Sequence, residues 1–221
     1  YQASVEQDGL GTYIISHRWK NPQEIRSILQ SLYQDTKQPL EGAVFVGDIP
    51  IPMIREAQVL TSAFKMNEKL KWERSSVASD RYYDDFDLQF DYLKQDESAE
   101  RSLYHYFRLR HDSPHYIQMD IYTGRIKPAI NESTGDAISQ IKAYLQKLVK
   151  VRQEKNELNH LITSTGHGYN SNSTIGWGND VLYFRNTFPE VFKQGNSAKF
   201  LHYQNATFLK NNLITELRRD D

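Results

Sequence analysis

The chain has 221 residues, enough for one large domain or two small ones and for a sizeable core. Its 27 lysine and arginine residues balance 28 aspartate and glutamate residues. The formal net charge of −1, with no long basic stretch, argues against a nucleic-acid partner. The sequence contains no cysteine, which excludes disulfides, thiolate metal sites and a cysteine nucleophile within these residues, and its apolar runs are too short to span a membrane.

The chain begins with a pattern of strand, helix and strand. Residues 12–16 (TYIIS) are β-branched and aromatic, which predicts a buried strand. Asn21 and Pro22 then predict the start of a helix, because Asn is a preferred N-cap and Pro fits the first helical position. Residues 43–46 (AVFV) form a continuous apolar run, typical of a strand buried on both faces. This order of elements predicts a parallel βαβ unit.

A dense group of carboxylates follows within residues 80–87. Its members are Asp80, Asp84, Asp85 and Asp87. Carboxylates this close repel one another unless a cation or buried donors hold them, so a site for an oxygen-ligated ion such as Ca²⁺ is one interpretation. The other is a solvated acidic turn that accepts hydrogen bonds from its own backbone, because the twelve-residue spacing of a calcium loop is missing.

Residues 102–126 alternate partly between apolar and polar positions. This pattern predicts a small additional antiparallel hairpin that turns at residues 112–114. The stretch contains His105, His111 and His115, whose spacings fit neither a zinc-binding helix nor a zinc finger. We therefore expect surface or turn histidines rather than metal ligands.

The second half of the chain alternates helices and strands. The pattern predicts a helix over 135–153, a strand over 161–165, a helix over 181–192, a strand over 199–203 and a helix over 207–218. The strand at 161–165 leads into Gly166, His167 and Gly168. Loops at the carboxyl ends of strands in open α/β sheets carry ligand-binding and catalytic side chains, so His167 is the candidate catalytic residue.

Taken together, these elements predict a three-layer α/β sandwich with a mainly parallel sheet flanked by helices. We expect a small amino-terminal α/β subdomain in residues 1–55 and a main subdomain in residues 56–221. The main subdomain is expected to be incomplete at its carboxyl end, because the sequence stops directly after a helical pattern.

Three short motifs occur in a defined order. They are V-G-D-x-P at residues 46–50, S-D-x-Y-Y at residues 79–83 and D-x-x-x-G-R-I at residues 120–126. With the long helix and the strand that follow, this order resembles the catalytic domain of gingipain-type cysteine peptidases, which belong to the caspase-like group of folds. The resemblance covers about residues 12–221.

The resemblance implies a secreted bacterial endopeptidase that acts on polypeptides in an extracellular or cell-envelope location. In that family a cysteine nucleophile and a His-Gly base lie at the ends of successive strands, and a carboxylate on an earlier strand orients the histidine. By the order of elements, the family histidine and cysteine would follow Asp221, on a remaining carboxyl-terminal segment or on a separate partner chain.

On this register, His167 lies where the family keeps its orienting carboxylate, and no aspartate or glutamate follows before Asp180. His167 would then be an orienting partner. If the register is one strand off, His167 is the base itself.

Two other functions fit parts of the sequence. A catalytically inactive α/β binding module of the same ancestry would use the loop after Thr165, although G-x-G without a third glycine is a weak dinucleotide signal. A hydrolase would use Ser164 or Ser171 beside His167, although the chain has no G-x-S-x-G elbow. Ca²⁺ is the one cofactor that the sequence suggests.

Overall fold

The computed structural model describes residues 1–55, 69–114, 116, 118–128 and 136–154, together with the main chain of residues 160–164 and 199–203. The chain divides into two compact units, Tyr1–Arg152 and Gln153–Asp221. The fold is mixed α/β, with parallel strand pairs, one mixed sheet and helices, and it is consistent with a caspase-like α/β sandwich.

The regular elements alternate along the chain. The described helices are α1 (Gln2–Glu6), α2 (Pro22–Tyr33), α3 (Arg81–Asp84) and α4 (Ala137–Gln153), with short 3-10 turns at Trp72–Arg74 and Ala99–Arg101. The described strands are β1 (Gly42–Val46), β2 (Ile51–Arg55), β3 (Val77–Ala78), β4 (Phe90–Gln95), β5 (Tyr104–Leu109), β6 (Tyr122–Ile126), β7 (His160–Ser164) and β8 (Lys199–Tyr203). None of the described helices is long and apolar enough to cross a membrane.

Helix α2 begins as its sequence predicts. The Asn21 side chain accepts a hydrogen bond from the Glu24 amide at 3.0 Å and donates to the Glu24 carboxylate at 3.1 Å, and Pro22 occupies the first turn. Ile25 and Leu29 on one face of the helix are buried in the core. This capping confirms the predicted start of the helix and fixes the direction in which α2 leaves the preceding chain.

The predicted strand at residues 12–16 is wrong. This stretch has no regular secondary structure, and the side chains of Tyr13, Ile14 and Ile15 are 64%, 75% and 50% exposed. β propensity reflects how well a side chain packs on a sheet surface, so an apolar run alone does not make a strand.

Strand β1 has one buried face rather than the two that its sequence predicts. It pairs in parallel with β6 from Gly42 opposite Tyr122 to Val46 opposite Ile126, and these two strands form a two-stranded sheet. Phe45 is buried, whereas Val44 and Val46 are 47% and 40% exposed. Side chains alternate between the faces of a strand, and only the Phe45 face packs on the core.

The second sheet is mixed, with strand order β3-β2-β5-β4. β2 and β5 run parallel, while β3 pairs with β2 and β4 pairs with β5 in antiparallel fashion. The predicted hairpin over residues 102–126 is wrong in its partner, because β5 pairs with β4 upstream and β6 joins β1 in the other sheet. A small antiparallel hairpin is nevertheless present, formed by β4 and β5.

A core of buried residues holds the first unit together, and half of them are aromatic. Its buried members come from α2, α3, the two sheets and the position before β6, namely Ile25, Leu29, Phe45, Ile54, Tyr82, Tyr83, Phe107 and Ile121. Residues from before and after position 55 therefore share this core. The chain divides into its two compact units after Arg152, and the expected subdomain boundary near residue 55 stays a prediction.

In the second unit, β7 and β8 confirm the strands predicted at 161–165 and 199–203. They pair in parallel from His160 opposite Lys199 to Ser164 opposite Tyr203. Helix α4, which lies in the first unit except for its last residue, confirms the helix predicted over 135–153. The helices predicted over 181–192 and 207–218 lie outside the described residues.

Candidate functional site

The candidate catalytic residue His167 lies outside the described residues. The strand before it, β7, ends at Ser164. Because β7 and β8 are parallel and Ser164 lies opposite Tyr203, the carboxyl ends of both strands share one edge of their sheet. That edge is where α/β folds place functional loops, and the role of His167 stays a prediction.

The acidic segment, residues 80–87, is organised around the short helix α3. Asp80 precedes the helix, Asp84 is its last residue and Asp85 follows it. Asp84 and Asp85 are 0% and 1% exposed, whereas Asp87 is exposed. Two carboxyl groups thus lie in the interior, where they need donors or cations, and the segment is more than a solvated turn.

The three motifs that mark the sequence meet at Arg125, on β6. Its Nη2 and Nε atoms donate to the two carboxylate oxygens of Asp80 at 2.7 and 3.3 Å. The same guanidinium donates to the carbonyl oxygens of Ile49 at 3.0 Å and Pro50 at 3.3 Å. We call these four residues the motif junction, because they join the V-G-D-x-P turn, the S-D-x-Y-Y segment and the G-R-I strand.

A second link between α3 and β6 passes through Asp84. Its Oδ2 atom accepts hydrogen bonds from Thr123 Oγ1 at 2.5 Å and from Arg81 Nη2 at 2.6 Å. Its Oδ1 atom is buried and has no hydrogen-bond partner in the described structure. Burial raises the pKa of Asp84 to about 6, against the opposing effects of Thr123 and Arg81.

The carboxylates of Asp85 and Asp120 accept hydrogen bonds from main-chain amides. Asp85 accepts from the amides of Leu88 at 3.2 Å and Gln118 at 3.1 Å, and Asp120 Oδ2 accepts from the Phe86 amide at 2.6 Å. Burial raises the pKa of Asp85, and its two amide donors oppose that rise. These carboxylates therefore shape the loop after α3.

Arg26 on α2 supplies a further buried cation. It is 8% exposed and donates to four main-chain carbonyl oxygens, those of Tyr82, of Asp85 at 3.1 Å, of Phe86 at 3.1 Å and of Leu88 at 2.9 Å. Burial lowers the pKa of Arg26, while Tyr82 and the nearby aspartates raise it. Helix α2 thus fixes the same loop that Asp85 and Asp120 shape.

The described residues contain no group of three or more histidine, aspartate or glutamate side chains able to hold a metal ion. Asp80 faces Arg125, Asp84 faces Arg81 and Thr123, and Asp85 faces main-chain amides, so Asp80, Asp84, Asp85 and Asp87 do not converge on one point. The geometry of these residues therefore gives the calcium interpretation no support.

The three histidines near β5 have different environments. His105 is buried at 2% exposure within β5 and its Nδ1 atom has no hydrogen-bond partner in the described structure, so the expectation of a surface or turn residue is wrong for it. Burial lowers its pKa. His111 is exposed, as expected, and His115 lies outside the described residues.

Sequence reasoning missed Arg26, Arg81 and Thr123. A signal for Arg26 was present, because it lies four positions after buried Pro22 and three before buried Leu29, on the core face of α2. An arginine on the buried face of a helix needs acceptors, and the acidic segment is a natural source of them. Thr123 carried no such signal, since only the fold brings β6 beside α3.

The residues of the motif junction lie within a match to a known protein family. The model for peptidase family C25 matches residues 12–217, a range that includes all three motifs. A search of curated proteins and a search of solved structures gave no match. Since the family match spans nearly the whole chain, the chain belongs to peptidase family C25, the gingipain family.

Proposed function

We propose that this chain is part of a secreted, gingipain-like cysteine endopeptidase whose thiol nucleophile is supplied from outside these 221 residues. The family match over residues 12–217 carries the proposal. The motif junction lies within that range and joins the three sequence motifs through Arg125. The sequence has no cysteine, so the nucleophile must belong to another segment or chain if the family chemistry operates. The substrate class is polypeptide.

We assign His167 to the catalytic edge of the second unit. A thiolate attacks the peptide carbonyl and an imidazole passes a proton to the leaving amine, so a histidine near the carboxyl ends of parallel strands can act as base or orient the base. The parallel pairing of β7 with β8 supports this position, because functional loops collect at that edge.

The matched variants His167→Ala and His111→Ala test this assignment in the natural gene product that contains this chain. Hydrolysis of fluorescently labelled casein should fall about 100-fold or more in His167→Ala, as for loss of a general acid–base group. It should stay near the native rate in His111→Ala, because His111 is an exposed turn residue. Equal rates in both variants would remove His167 from the mechanism.

A catalytically inactive binding module is the second candidate. Two observations favour it, namely the missing cysteine and the absence of aspartate and glutamate from residues 166–179. A protein of this kind should bind unfolded casein in a pull-down without cleaving it, with or without a reducing agent. Cleavage products in the same experiment would exclude it.

A further inference from the structure

Residues 82–90, which run from within α3 to the first residue of β4, surround the guanidinium of Arg26 on several sides. Four carbonyl oxygens accept its hydrogen bonds, as described above, and three aromatic rings lie close to its central carbon. The distances from that carbon to the ring centroids are 5.0 Å for Tyr82, 5.8 Å for Phe86 and 5.8 Å for Phe90. Carbonyl oxygens and aromatic faces both attract cations, so the surroundings are those of a cation-binding site.

We propose that residues 82–90 form a binding site for a planar guanidinium-type cation, which Arg26 occupies in the native chain and which a free small cation can enter when the side chain is removed. The site belongs to this segment rather than to the arginine, because every acceptor and every ring comes from residues 82–90. Two carboxylates, that of Asp85 within these residues and that of Asp120 outside them, accept hydrogen bonds from amides of the segment independently of Arg26.

The chemistry favours an organic cation over Ca²⁺. Calcium takes six to eight oxygen ligands, including carboxylates, at short distances. Here the acceptors that face the guanidinium are four main-chain carbonyls, and the flanking aromatic rings would exclude the water that completes a calcium shell. A planar fork with several N–H donors matches this arrangement, and a single ammonium does not.

The site has a structural consequence. It holds the loop that directly follows Asp80 and Asp84, the two residues that link α3 to β6 through Arg125 and Thr123. Emptying the site should therefore loosen the motif junction as well as the loop. This inference does not depend on the proposed peptidase activity.

Arg26→Ala, with and without millimolar methylguanidinium chloride, tests the proposal by thermal unfolding. Removing a buried, hydrogen-bonded cation should lower the Tm by roughly 6–20 °C. Methylguanidinium should restore part of that loss in Arg26→Ala and should restore protection of the residue 82–90 amides against hydrogen exchange. It should not raise the Tm of the native chain or of the control Arg108→Ala, whose arginine is 41% exposed and pairs with Asp91.

Three results would overturn the proposal. One is a folded Arg26→Ala variant whose Tm and amide protection do not respond to methylguanidinium. Another is an equal or larger recovery with Ca²⁺. The third is an Arg26→Lys variant with native Tm, since lysine keeps the charge but lacks the planar fork. If Arg26→Ala does not fold alone, refolding it from urea with methylguanidinium is the readout: recovery supports the site, and failure to recover contradicts it.

Discussion

The pKa of Asp84 reflects the surroundings of its side chain. Its side chain is fully buried, one oxygen accepts two short hydrogen bonds, and the other has no partner in the described structure. Burial disfavours the charged form, and the pKa rises from the ordinary value of 3.8 to about 6. The ionised carboxylate is therefore a cost to the folded chain at neutral pH.

We predict that this cost disappears as the pH falls. A folded-state pKa above the unfolded value means that the folded chain binds the proton more tightly, so stability rises between about pH 6 and the unfolded pKa of 3.8. The free energy of unfolding of the native chain relative to Asp84→Asn should increase by about 1–3 kcal/mol between pH 7.5 and pH 4.5, measured by urea unfolding. The comparison with Asp84→Asn removes contributions from other groups, and an unchanged or falling difference would contradict the burial argument.

At the scale of elements, arginines supply the cations that the acidic segment requires. Arg125 pairs with Asp80, Arg81 pairs with Asp84, and Arg26 holds the loop that follows. Each arginine comes from a different element, namely β6, α3 and α2. The segment thus joins three elements through charged contacts with protein groups.

We predict that this segment needs no metal ion. Dialysis against EDTA, or addition of millimolar Ca²⁺, should shift the Tm of the chain by less than about 1 °C, because a ligand stabilises only if it binds the folded state. Mg²⁺ at the same concentration serves as the control for general salt effects. A rise in Tm that is specific for Ca²⁺ and is abolished in Asp80→Asn would restore the calcium interpretation.

The elements that sequence reasoning predicted correctly have local signals. The Asn21 cap and the Pro22 position mark the start of α2, and β7 and β8 are short apolar runs between polar stretches. Failures occurred where distant residues decide the outcome. Residues 12–16 have strand-like composition, yet they pair with no strand among the described residues. One face of β1 is exposed at Val44 and Val46, because β6 pairs along the edge of β1 and does not cover that face.

In the candidate site as well, the features with a local sequence signal could be predicted and the contacts between distant residues could not. The three motifs were visible in the sequence, but their meeting at Arg125 was not, because Arg125 is separated from Asp80 by 45 positions and from Ile49 by 76. The carbonyl oxygens that accept hydrogen bonds from Arg26 could not be predicted either. Every residue has a main-chain carbonyl, so the sequence does not indicate which ones contact the guanidinium. His167 was predicted as a catalytic residue from its place after a strand, and because it lies outside the described residues its role stays a prediction.

For the whole molecule, the first unit is a core-bearing α/β unit fixed by the motif junction, and the second unit contributes the parallel pair β7 and β8. The family match spans both units. Cysteine peptidase chemistry requires a thiolate, and the 221 residues contain no cysteine. On the proposed function, peptide hydrolysis therefore requires a thiol from outside these residues.

Thiol dependence of casein hydrolysis tests the central proposal most directly. We predict that the natural gene product hydrolyses labelled casein, that iodoacetamide abolishes this activity by alkylating the nucleophile, and that residues 1–221 alone release no fragments with or without iodoacetamide. Hydrolysis by residues 1–221 alone, or hydrolysis by the natural product that iodoacetamide leaves unchanged, would contradict the assignment as a cysteine endopeptidase.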